Sequence, residues 1–218
     1  MVAARPDQAV VRVLLERHPR TFAAELGIRR LDTPSGLFRL LVLALLSSAR
    51  ISSSIALDAA RALSSQGWRT AQRMAEASWA ERTAVLNRAG YARFDERTST
   101  MLHDTAELLL ERYRGDLRRL RDAAGRRPDD ERRRLKACQG IGDVGVDIFF
   151  REVQQVWTEL QPFADRRALS AAGRLGLPTT AEGLAALAPG GDMARLVSAL
   201  VRVDVAHEAD AVRAAAAA

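Results

Sequence analysis

A chain of 218 residues that is 48% hydrophobic and 28% charged can bury a sizeable core and stands outside the disordered class. Its net charge is +6 at pH 7, and since Lys136 is the only lysine the excess is arginine. One cysteine, Cys138, excludes a disulfide framework and any site built from several thiolates. Arginine pairs bidentately with phosphate and stacks on bases, which favours a nucleic-acid partner. The same arginine bias, with abundant alanine, also follows from a GC-rich genome, so composition leaves both readings open.

No segment alternates with a period of two, and helical punctuation recurs along the chain. Thr33, Pro34 and Ser35 open an apolar helix through Leu46. Ser54 to Gly67 reads as an amphipathic helix stopped by its glycine. Short helices are expected over Thr70–Ala77 and Trp79–Gly90, the second ended by Gly90 as a C-cap. From Arg97 to about Leu120 the pattern predicts one long helix, with Met101, Leu102, Leu108, Leu109 and Tyr113 at core spacing. Asp129, Asp130 and Glu131 suit the first turn of the next helix.

That helix leads into Leu135 to Gly145, LKACQGIGDVG, whose Gly-Ile-Gly suits a backbone that approaches another molecule closely. Val146 to Trp157 is expected as the following helix, and Asp165 to Leu175 as another. Thr179 with Glu182 reads as a capping box for a short helix that ends at Pro189, Gly190 and Gly191. A last helix runs from about Asp192, and the terminal alanine tract is expected to fray. Cys138 reads as a small buried residue, and Trp68, Trp79 and Trp157 as core or interface aromatics. The fold class is all-α.

Three separated segments carry a resemblance. These are LFRLLVLALLSSAR from Leu37 to Arg50, the loop Ala89-Gly90-Tyr91-Ala92-Arg93, and GIGDVGVD followed by FADRRALSAAGRLG. In this order they resemble the helix-hairpin-helix DNA glycosylases, in their endonuclease III-like branch, over roughly Pro34 to Leu177. The resemblance implies two intimate helical subdomains with a cleft between them. Residues 33–151 would form a six-helix barrel-like subdomain containing the helix-hairpin-helix at about 129–157. Residues 1–32 and 152–218 would form the second, carrying the catalytic aspartate.

Under this resemblance Asp165 would stabilise the positive charge that develops on the sugar as a base departs, or orient the attacking water. The competing reading is that Asp165 only caps the helix that begins at Arg166 or Arg167. Gly140, Ile141, Gly142 and Gly145 would present backbone N–H groups to a phosphate; otherwise they form an ordinary tight helix–helix turn. Carbonyls of Lys136, Cys138 and Ile141 would hold a monovalent cation. Arg50, Arg93, Arg166 and Arg167 would contact phosphates beside the lesion. Tyr91 would wedge into the base stack, or else anchor its loop in the core.

The departures from the family also matter. The position of the Schiff-base lysine, two residues beyond Gly142, holds Val144, so a lyase step has no amine donor there. The iron–sulfur cysteines are missing, so no iron–sulfur cluster is expected. Arg166 and Arg167 replace the Thr-His that follows the family's aspartate. The expectation is therefore a monofunctional glycosylase that excises a damaged or mismatched base from double-stranded DNA in which that base is flipped. A non-catalytic binder of damaged or distorted duplex is the alternative. The N-terminus lacks a signal-peptide pattern, and Leu40 to Leu46 is too short to span a bilayer. A cytoplasmic, nucleoid-associated monomer with no membrane partner is expected.

Overall fold

The computed structural model describes residues 6–217, and these form helices and short turns with no strand. The chain divides into two compact units, Leu26–Phe149, and the residues up to Glu25 together with those from Phe150 onward. The sequence reading set these boundaries at 32/33 and 151/152.

The end-built unit opens with α1, Pro6–Arg17, and the single turn α2, Phe22–Glu25. The central unit begins at α3, Pro34–Ser47, whose N-cap Thr33 accepts the Gly36 N–H, with Pro34 at the first helical position. Ten of its fourteen residues are buried, so α3 forms the axis around which the unit packs. Helix α4, Ser53–Ser65, follows with Ser52 as N-cap, then α5, Ala71–Glu76, and α6, Trp79–Leu86. A capping box between Ser78 and Glu81 starts α6. Gly90, in the left-handed region at φ 82, turns the chain out of the π-helical turn Asn87–Tyr91.

The long helix expected over Arg97–Leu120 is two. Helix α7 spans Asp95–Tyr113, and α8 spans Leu117–Ala123. Arg114 and Gly115 between them both take left-handed backbone, and the Gly115 N–H bonds back to the Leu109 carbonyl. Asp116 then caps α8 by accepting from Arg118 N–H. Apolar spacing runs on through this break, so periodicity alone concealed it; the Gly-Asp pair was the available signal.

Helix α9, Pro128–Leu135, has Asp129, Asp130 and Glu131 in its first turn. Helix α10, Asp143–Val153, begins three residues earlier and ends four residues earlier than expected. It carries the chain across the division at 149/150.

The remaining helices are α11, Arg166–Arg174, α12, Ala181–Ala185, α13, Met193–Ala206, and α14, Ala209–Ala217. The cap of α12 is Thr180, which accepts the Gly183 N–H, so the expected Thr179–Glu182 box does not form: the helix starts one residue later, with a glycine at the third position. The alanine tract is helical through Ala217; Ala218 lies outside the described residues. Alanine is the best helix former, and fully buried Val212 pins α14 to a core that includes Leu14, Val197 and Leu200. No helix among the described residues is long and apolar enough to cross a membrane.

Candidate functional site

The turn between α9 and α10 is built from the core outward. Ile141 is 4% exposed and plugs the unit, and Cys138 beneath it is buried. That burial pushes the Cys138 thiol up to about 12, so it stays neutral and unreactive near pH 7. The Ile141 N–H bonds to the Cys138 carbonyl at 3.1 Å, and Thr105 on α7 donates to the Gln139 carbonyl at 3.2 Å. The Val146 N–H bonds to the Gly142 carbonyl at 3.0 Å, which makes Gly142 the residue that opens α10.

The three glycines serve different ends. Gly140 adopts φ 86, and an added Cβ would sit 2.7 Å from the Met101 sulfur. At Gly145 a Cβ would lie 2.8 Å from Ser48 Oγ, on the turn that leads to Arg50. Gly142 is exposed, and a Cβ there would meet nothing within 4 Å. Gly140 and Gly145 are therefore glycines for packing reasons. Gly142 is the one whose side-chain space opens outward.

A packing test follows for Gly145. Ser48 Oγ already donates to the Ala44 carbonyl at 2.7 Å, so the hydroxyl resists displacement. Gly145→Ala is expected to cost about 1–3 kcal/mol in urea titrations. Ser48→Ala in the same chain should recover most of that loss. An undiminished loss in the double variant would show that the contact is elsewhere.

Charge around the turn is balanced locally. Lys136 Nζ lies 2.9 Å from Asp143 Oδ1, and Arg132 reaches Asp147 at 2.6 Å and Asp143 at 3.7 Å. The hydrogen bond from Lys136, more than any other contact, holds the Asp143 carboxyl below its usual range. Val144 stands 62% exposed beside them. A pocket of about 460 Å³ adjoins the turn, lined by Asp104, Leu108 and the stretch from Lys136 to Gly142. Of the three carbonyls expected to bind a cation, that of Cys138 already accepts the Ile141 N–H.

Tyr91 is fully buried and donates to the Leu46 carbonyl at 2.8 Å, so it anchors its loop and cannot wedge into a base stack. Arg50 and Arg93 are exposed, the latter 5.3 Å above the Phe94 ring. All of these residues belong to the central unit. Of the tryptophans, Trp157 is buried and Trp68 half-buried, while Trp79 is 46% exposed and so outside the core.

Asp165 belongs to the other unit. It is 6% exposed, and its Oδ1 accepts the Ala168 N–H at 2.9 Å as the N-cap of α11. Its Oδ2 accepts from Arg151 Nε at 2.9 Å and from Nη2 as well, and both side chains of this pair are 5% exposed. Both carboxylate oxygens are thus committed to the protein. Arg166 is exposed, and Arg167 pairs with Asp204 at 2.6 Å.

Sequence reasoning missed Arg151. Its signal was a charge flanked by Phe149, Phe150 and Val153, a run too apolar for a solvated arginine. Neighbouring Glu152 was missed too. It is 1% exposed and accepts the Phe22 and Ala23 N–H groups, fixing the start of α2. No protein-family model, curated protein or solved structure matches this chain.

Proposed function

We propose that this protein binds duplex DNA through the sugar–phosphate backbone, with the Gly140–Gly145 turn as its contact. The observation that carries the reading is Gly142, exposed and unobstructed at the first turn of the eleven-residue α10. Free N–H groups and the helix field favour an anion there, and a phosphate oxygen can approach a backbone with no side chain over it. Lys136 and Arg132 stand at the same turn, on exposed and half-exposed pairs that a phosphate can recruit.

Fluorescence anisotropy on labelled duplexes of unrelated sequence tests the reading. Affinity should be similar across sequences and should fall with salt on a log–log slope shallower than about −4, as for a few phosphate contacts. Absence of binding at low salt would overturn it.

Base excision is a second reading, favoured by one observation. Asp165 caps α11, the α-helix after α10, in the place the resemblance gives to the catalytic carboxylate. To touch a substrate, however, this carboxylate must leave Arg151. A panel of lesion-bearing duplexes assayed for abasic sites separates the two readings. With Val144 at the lysine position, excision should give alkali-labile strands and no borohydride-trapped complex.

A further inference from the structure

A groove of about 730 Å³ runs along α1 in the end-built unit, opposite the segment that joins α12 to α13. Its lining from Gln8 to Glu16 covers about 12 Å of helix. Val11, Leu15 and Leu187 give it an apolar floor. Arg12 and Arg195 line it as well, and neither guanidinium has an ion-pair or hydrogen-bond partner among the described residues. Arg195 Nε is out of reach of water and equally unpartnered.

Five arginines of this unit are differently placed: Arg151, Arg167, Arg174, Arg202 and Arg213 each meet a carboxylate. A guanidinium without an acceptor at the wall of an open groove gains charge-assisted hydrogen bonds when an anion arrives. The volume lies in the range of small-molecule sites, and an apolar floor with a few convergent polar groups is their usual composition. Glu16, the one carboxylate of the lining, repels a second anionic group.

We propose that this groove binds a small amphipathic anion with a single phosphate or carboxylate head on an apolar or aromatic body. The two arginines take the head by charge-assisted hydrogen bonds, and the floor of Val11, Leu15 and Leu187 takes the body. The site is independent of the DNA-contacting turn.

Titration calorimetry with phenyl phosphate, benzoate and inorganic phosphate tests the proposal on the full chain. Phenyl phosphate or benzoate should bind, and the stronger of the two identifies the head group. Inorganic phosphate, without a body, should bind at least about tenfold more weakly. Arg12→Gln, at an exposed position that leaves folding intact, and Arg195→Gln should each weaken binding about tenfold or more. Gly142→Val should leave ligand affinity unchanged while lowering DNA affinity, so this proposal and the DNA-binding one fail separately. No heat with either organic anion up to about 10 mM would overturn the proposal. Equal binding of inorganic phosphate, or undiminished affinity in both arginine variants, would do the same.

Discussion

Asp165→Asn is expected to lower the unfolding free energy by about 3–5 kcal/mol. Capping alone predicts almost no change, because asparagine caps a helix about as well as aspartate and still accepts the Ala168 N–H. The difference comes from Arg151. Its guanidinium is 5% exposed and donates through two nitrogens to the Asp165 carboxylate, so removing the charge strands a buried cation. Arg151→Met combined with Asp165→Asn removes both charges and should recover much of the loss, since a buried pair often contributes little beyond an apolar replacement. Urea titrations of the two single variants and the double variant decide the matter. A loss under about 1 kcal/mol for Asp165→Asn would mean that the pair is dispensable, and would return Asp165 to the catalytic reading.

The same residue shows where a sequence is legible and where it is not. That Asp165 begins a helix was readable, because a short acceptor side chain followed by an amphipathic run is a local signal. That it is buried against a cation fourteen positions earlier was not, because pairing across a loop leaves no local mark. The apolar α3 and the Gly-rich turn were legible for the same local reasons. Tyr91 shows the converse: an aromatic beside a loop glycine suits a wedge or an anchor equally, and only its bond to the Leu46 carbonyl separates them. The break at Arg114 and Gly115 was hidden because α7 and α8 share one core-facing spacing across it. The groove along α1 was illegible because its lining is joined from positions nearly 180 apart, an order-of-chain distance that no pattern bridges.

Gly142→Val should weaken association with all duplex sequences alike, by about tenfold or more, with the fold intact. A branched side chain at this point holds a phosphate away from the N–H groups that open α10, and losing charge-assisted hydrogen bonds costs on the order of 1.5–3 kcal/mol. The fold should lose no more than about 1 kcal/mol, because a Cβ at Gly142 meets nothing within 4 Å and only the poorer N-cap of valine relative to glycine is felt. Gly140→Val supplies the contrast. There φ is 86 and a Cβ would press on the Met101 sulfur at 2.7 Å, so stability falls first and binding falls with it. Anisotropy titrations at two salt concentrations, beside urea midpoints for both variants, keep the two effects apart. If Gly142→Val folds normally and binds every duplex as the parent does, the turn is not the DNA contact. A loss confined to one lesion or sequence would instead assign the turn to reading bases rather than backbone, since phosphate contacts carry no sequence information.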